Sequence, residues 1–352
     1  MTRWEEARGA IRAGLARRIV GMEDVIEKIL LCALTRNHAL LVGVPGLAKT
    51  LLVSSLAELL DLSFARIQFT PDLMPSDITG TEVLAGDGEQ RAFRFLPGPI
   101  FANLVLADEI NRTPPKTQAA LMEAMEERQV TSVGRRYPLP DPFFVLATQN
   151  PIEMEGTYPL PAAQLDRFML RIRVEYPDER TEAIVARRVA RAAAERLAPA
   201  LGPDDVVAFG RDLAGIAMPA ALQEAIVTFV RATRPAEPGA PDFVKDWIAF
   251  GAGPRAAQAL TIGSRARALL HGRSEATVAD VVALIPEVVR HRLTLTYHAT
   301  AEGVRAVDVV RRLTALHFPA PAEAAPKRSL WRRLFGAADA RGGSGPGAAR
   351  LR

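Results

Sequence analysis

The chain has 352 residues, 49% hydrophobic and 24% charged, the make-up of a soluble globular protein long enough for two domains and unlike a fibrous or wholly low-complexity one. A single cysteine excludes an intrachain disulfide, no uninterrupted apolar run of about 18 residues offers a membrane span, and charges in the opening MTRWEEARGAIRAG stand where a secretory leader is apolar, so a cytoplasmic location is expected. The net charge of +4 is misleading for nucleic-acid binding: residues 320–352 hold seven basic and two acidic residues, which leaves the body of the protein close to neutral.

In chain order, Trp4, Ala7, Ile11 and Leu15 recur at helical spacing, and a second helical pattern runs from Glu23 to about Thr35, with Cys32 in its apolar stretch as a buried core thiol. Short apolar runs at about 38–44, 64–69, 103–110, 143–150 and 169–174 then alternate with helical stretches. That alternation predicts an α/β core with a five-stranded parallel sheet covered on both faces. Two hairpins are expected as insertions, at 82–96 around Gly86-Asp87-Gly88 and at 129–140. Past Tyr176-Pro177 the strand signals stop, and alanine-rich helical patterns follow at about 178–197, 204–215, 219–233, 255–271, 277–292 and 303–317. The predicted division is an α/β core over 1–176, a helical domain over 177–319 and a low-complexity, disordered basic tail over 320–352.

Chemistry concentrates at the ends of the predicted strands. GVPGLAKT, Gly43 to Thr50, lies between a strand and a helix and nearly matches a phosphate-binding loop, with Ala48 where the usual pattern has glycine. Backbone N–H groups there favour a polyphosphate, Lys49 reaches the β- and γ-phosphates, and the Thr50 hydroxyl suits Mg²⁺. Alanine is tolerable before Lys49 provided that position does not require φ > 0. The run LVLADEIN ends in Asp108 and Glu109, two carboxylates at the sheet's C-terminal edge, one suited to holding Mg²⁺ through water and the other to polarising an attacking water. FFVLATQN ends in Thr148-Gln149-Asn150, polar groups able to place that water. Arg167, just before the fifth strand, and Arg255, in the first turn of a lid helix, are candidates for stabilising transition-state charge.

These motifs in order resemble the AAA+ ATPases and, among them, the MoxR family, over about residues 10–318: IVGMEDVIEKIL, LLVGVPGLAKT, IQFTPDLMPSDITGTEVL, the segment from FRFLPGPIF to EERQVT, VLATQNPIEMEGTYPLPAAQLDRFML and GPRAAQAL. The family's loop ordinarily reads GxPGxAKT, so Ala48 is its norm. The resemblance implies ATP and Mg²⁺ as ligands, with Gly43, Val44, Pro45, Gly46, Leu47, Ala48, Lys49, Thr50 and Leu51 at the phosphates, Asp108 and Glu109 as Walker B acids and Asn150 as the first sensor. It implies Arg167 as an arginine finger acting on a neighbour's nucleotide, with Arg112 as a second interface candidate. Arg255 would be the second sensor, coupling the helical lid to the γ-phosphate, and Ile19, Val20 and Gly21 would contact adenine. It further implies a homo-oligomer, commonly a hexameric ring, that remodels or matures protein clients, often with a von Willebrand factor A domain partner. A nucleic-acid-dependent motor is the alternative, supported by Arg135 and Arg136 on the second hairpin but opposed by the near-neutral body and by 6% aromatic residues. In the tail, SLWRRLFG at 329–336 has the composition to touch a membrane or a partner.

Overall fold

The computed structural model describes residues 2–85, 92–152, 156–187 and 196–319. The expected turn at 86–88, the stretch 188–195 of the first lid helix, and the tail with its 329–336 segment lie outside the described residues. The strands are, in chain order, β1 (Ala39–Gly43), β2 (Phe64–Gln68), a hairpin of β3 (Gly80–Ala85) and β4 (Ala92–Pro97), β5 (Leu104–Asp108), a second hairpin of β6 (Gln129–Ser132) and β7 (Arg135–Pro138), β8 (Phe144–Gln149) and β9 (Leu170–Val174). Five of them form one sheet in the order β2-β5-β8-β1-β9, parallel at every junction. Every residue of β1 and β5 is buried, as their unbroken apolar runs require of strands covered on both faces. Alternation then sorts the side chains: Ala39 and Leu41 join one hydrophobic cluster, Leu40 and Val42 the other.

One face is covered by α1 (Arg3–Ala16), α2 (Glu23–Leu34) and α3 (Lys49–Leu59). The periodic residues of α1, Trp4, Ala7, Ile11 and Leu15, are its buried ones, and Thr2 and Glu5 close a capping box at its start. Cys32 on α2 is fully buried, and burial pushes its thiol pKa up, as befits an inert core thiol. The opposite face carries α4 (Pro75–Thr79), α5 (Pro115–Glu127) and the single turn α6 (Ala162–Leu165). Both hairpins form, and they touch each other through Phe95 and Tyr137, stacked with centroids 4.0 Å apart.

The C-terminal part consists of α7 (Glu179–Arg187), α8 (Pro203–Ala214), α9 (Ala220–Ala232), α10 (Asp242–Trp247), α11 (Pro254–Leu270), α12 (Val278–Val289), α13 (Tyr297–Ala301) and α14 (Ala306–His317). It differs from the sequence expectation in one respect: strands do occur past Pro177. Ile248–Phe250 (β10) pairs antiparallel with Thr294–Leu295 (β11), segments too short to carry a readable period. The lid shares a hydrophobic cluster with the first three helices, running from Trp4 to Phe318. At that junction the Trp4 indole donates to Asp212 Oδ2 at 2.9 Å and meets the Phe209 ring edge-on. No helix among the described residues is long and apolar enough to cross a membrane.

Candidate active site

The phosphate loop leaves the C-terminal end of β1. Gly43 there lies so close to β9 that a Cβ would come within 2.5 Å of the Val174 carbonyl oxygen, which explains glycine at this point. Lys49, Thr50 and Leu51 open α3. Lys49 Nζ turns back to donate to the Gly43 carbonyl at 2.6 Å. Partial burial lowers its pKa, against the opposing pull of Asp108 and Glu109, whose charges reach it. Ala48 corrects one expectation: its φ of 49° and ψ of 25° are left-handed, so the condition under which alanine was acceptable does not hold. The loop adopts this conformation despite the side chain, at a cost of about 1 kcal/mol.

Pro45 to Ala48 line a cavity of about 740 Å³ together with Ile19, Val20 and Gly21, so the segment expected at adenine and the loop expected at phosphate share one space. Gly21 has φ 77° and sits against Thr181, two reasons for its lack of a side chain. Gly43 and Val44 line an adjoining cavity.

At the end of β5 the two acids are held by separate sets of partners. Asp108 is nearly buried; its Oδ1 accepts from Thr148 Oγ1 at 2.5 Å, and its Oδ2 accepts from Arg66 Nε at 3.1 Å and Nη2 at 2.6 Å. The same Thr148 oxygen accepts from the Glu109 backbone N–H at 2.8 Å. Glu109 has φ 57°, and its Oε2 accepts from Gln68 Nε2 at 3.0 Å and from Arg112 Nη1 at 3.1 Å. Arg112 is therefore engaged with an acid of its own chain. Asn150 follows β8; its Oδ1 accepts from the Ile152 N–H at 3.2 Å, while its Nδ2 is buried without a partner among the described residues. Sequence reasoning missed Arg66 and Gln68. Their signal was two polar residues two apart in FARIQF, on the strand face that carries Asp108 through the Gln68–Asp108 register.

The two singled-out arginines lie together elsewhere. Arg167 Nη2 and Arg255 Nη2 bind opposite oxygens of one carboxylate, Glu126, at 2.6 and 2.8 Å. Asp166 adds a longer contact to Arg255 at 3.7 Å and a close one to Arg292 at 2.7 Å. Both arginines line a cavity of about 260 Å³, and neither lines the cavity that holds the phosphate loop.

Residues 38–170 match the ATPase family associated with various cellular activities (AAA), and residues 243–313 match an AAA lid domain. The chain is 44% identical over 299 residues to Chaperone MoxR1 of Mycobacterium tuberculosis, covering 84% of this chain and 78% of that one. This chain belongs to the MoxR family of AAA ATPases. Protein MoxR of Methylorubrum extorquens is 30% identical over 311 residues, with 84% and 90% of the two chains covered. A crystal structure from Cytophaga hutchinsonii superposes with a TM-score of 0.81 at 39% identity, covering 88% and 94%. In this MoxR-family ATPase the matched AAA region holds every core position from Gly43 to Arg167, and the lid match holds Arg255.

Proposed function

We propose that this MoxR-family ATPase binds ATP with Mg²⁺ at Gly43–Leu51 and works as a homo-oligomeric ring, commonly six subunits, that uses turnover to remodel protein clients. The observation that carries the nucleotide part is the meeting of Lys49 with Asp108 and Glu109, a cation and two acids from two separate chain segments within electrostatic reach of one another. In this reading Lys49 neutralises phosphate charge, Glu109 takes the proton of the attacking water, and the free Nδ2 of Asn150 donates to that water or to the γ-phosphate. Among the described residues no group of three or more His, Cys, Asp or Glu side chains could hold a metal by itself. Thr50, Asp108 and the nucleotide's own oxygens make the hard donor set that Mg²⁺ takes, and Asp108 would share its Oδ2 with Arg66. Bound Mg²⁺ supplies charge neutralisation on the transferring phosphoryl group.

The ring reading is supported by Arg167 meeting Glu126 outside its own phosphate-loop cavity, a placement suited to a neighbour's nucleotide; Arg255, expected as the second sensor, binds the same carboxylate and does not line that cavity either. A von Willebrand factor A domain partner follows from the family alone. Lys49→Ala is expected to abolish nucleotide binding, whereas Glu109→Gln retains ATP and turns it over far more slowly. Mixing Arg167→Ala with Glu109→Gln subunits should restore part of the activity at interfaces carrying neither change. Full turnover in both single variants would sink the catalytic assignments, and no recovery on mixing would sink the shared site.

A further inference from the structure

Of the two acids at the end of β5, Asp108 has a cation of its own chain bound to it, and the roles above leave that cation without a function. Arg66 stands on β2, the edge strand of the sheet, beside β5. Gln68 is the register partner of Asp108, so Arg66 lies two residues back on the same strand face, a diagonal that a long side chain spans. Its Nε and Nη2 both close on Asp108 Oδ2, at 3.1 and 2.6 Å, and Nη2 also reaches Gln68 Oε1. Asp108 Oδ1 accepts from Thr148 instead. The guanidinium therefore does not straddle the carboxylate; it concentrates on the one oxygen that Thr148 does not hold.

Two properties decide how this pair behaves. The first is which partner can move: the Arg66 side chain is 46% exposed on an edge strand, whereas that of Asp108 is 13% exposed and braced by Thr148, so the arginine is the one that can swing away. The second is charge. Asp108 acts on Lys49 of the phosphate loop, so whatever neutralises Asp108 also alters the field in which a polyphosphate would sit. A guanidinium on Oδ2 offsets the repulsion between this carboxylate and phosphate oxygens. It also occupies an oxygen that a hard dication draws on, and adds positive charge beside it. Lys49 does not substitute for Arg66, because its Nζ donates to the Gly43 carbonyl.

We propose that Arg66 is a tethered competitor of Mg²⁺ for Asp108, a positioning residue that sets how far nucleotide binding depends on the metal. The inference rests on the reading of Gly43–Leu51 and Asp108 as the ATP and Mg²⁺ site. With Arg66 in place, nucleotide free of metal does not face an unscreened carboxylate, and Mg²⁺ reaches Oδ2 only against a charge-assisted contact. Without Arg66 both effects reverse: nucleotide alone binds more weakly and the metal more tightly. The arginine thus narrows the gap in affinity between metal-free and metal-loaded nucleotide.

The test measures the dissociation constant of a fluorescent ATP analogue on the full chain, once in excess Mg²⁺ and once in a chelator, and takes the ratio of the two. Arg66→Gln should raise that ratio about tenfold, the loss of one charge-assisted contact. Arg66→Lys keeps the charge but not the fork; it should raise the ratio severalfold, and it decides the matter if the glutamine variant fails to fold. A titration with Mn²⁺ in the presence of ADP, read by electron paramagnetic resonance, should show tighter metal binding in the glutamine variant. On an Asp108→Asn background, Arg66→Gln should move the ratio less than twofold, because the arginine acts through that carboxylate. A ratio within twofold of wild type in folded Arg66→Gln, or an equal rise on the Asp108→Asn background, would overturn the inference while leaving the ATPase assignment untouched. Failure of the wild-type chain to bind the analogue in either buffer would overturn the reading of the site itself, and the inference with it.

Discussion

Thr148 donates its hydroxyl proton to Asp108 Oδ1 at 2.5 Å while the same oxygen accepts from the Glu109 backbone N–H at 2.8 Å. One side chain of β8 thus fixes both the carboxylate of the first acid and the main chain of the second. Thr148→Val keeps the volume and removes the hydroxyl. It leaves Asp108 short of a donor and the Glu109 N–H without its acceptor, a cost of about 1–3 kcal/mol at the site. Turnover is expected to fall about tenfold or more, with nucleotide affinity in the absence of metal within a fewfold of wild type. Thr148→Ser should recover most of the rate. A wild-type rate in the valine variant would mean that neither acid depends on this brace.

Glu126 holds Arg167 and Arg255 on its two oxygens, and its own side chain is 40% exposed. Exposed ion pairs contribute little to stability, so Glu126→Gln should change the unfolding free energy by less than about 1 kcal/mol. Function should respond far more, since both arginines lose the group that orients them. Steady-state assays are expected to give a severalfold lower kcat with an unchanged dissociation constant for ATP. Mixing with Glu109→Gln subunits should then reproduce the pattern of Arg167→Ala. A large loss of stability with unaltered turnover would make Glu126 a structural tie only.

Ala48 at φ 49° sets two effects of similar size against each other. Glycine there relieves about 1 kcal/mol of left-handed strain but adds about 0.4–1 kcal/mol of freedom to the unfolded chain. Ala48→Gly should therefore leave the thermal midpoint within about 1 °C of wild type. Ala48→Val adds β-branching to the same φ and should lower it clearly. Thermal unfolding at one fixed nucleotide concentration checks both. A glycine variant stabilised by several degrees would show that the loop carries more strain than this conformation accounts for.

What could be read in the sequence follows from where the information is local. The five sheet strands, the phosphate loop and the acids of LVLADEIN each declare themselves within eight residues, because a buried strand is an apolar run and its chemistry begins where the run stops. Arg66 and Gln68 were hidden because polar residues on an edge strand also suit a solvated face; only the β2–β5 register reveals their partners. The meeting of Arg167 with Arg255 was illegible for a different reason: it depends on how the lid docks on the core, through contacts of Arg255 with Asp166 and Glu126, 89 and 129 residues away in sequence, that no local pattern encodes. The left-handed Ala48 could not be read from residue type, which argues against that conformation.

His38 predicts an acid-sensitive fold. Its ring is buried: Nδ1 accepts from the Val145 N–H at 2.9 Å, and Nε2 meets the Met125 carbonyl at 3.2 Å. That pairing fixes the neutral tautomer with its proton on Nε2, and protonation of Nδ1 would set two donors against each other. Burial, with some help from the charge of Arg128, brings the pKa from the usual 6.5 down to about 4. The unfolded chain then binds the proton first as pH falls. Stability is complete above about pH 6.5 and declines between 6.5 and 4, by roughly 3 kcal/mol for this residue alone. His291, buried beside Arg292 with its own pKa well below 6.5, steepens the same decline. Denaturant unfolding from pH 7.5 to 4.5 should give this slope, and His38→Gln, weaker at neutral pH, should flatten it by about one proton. An unchanged slope in that variant, or a His38 ring signal that titrates near 6.5 in the folded protein, would remove His38 as the cause.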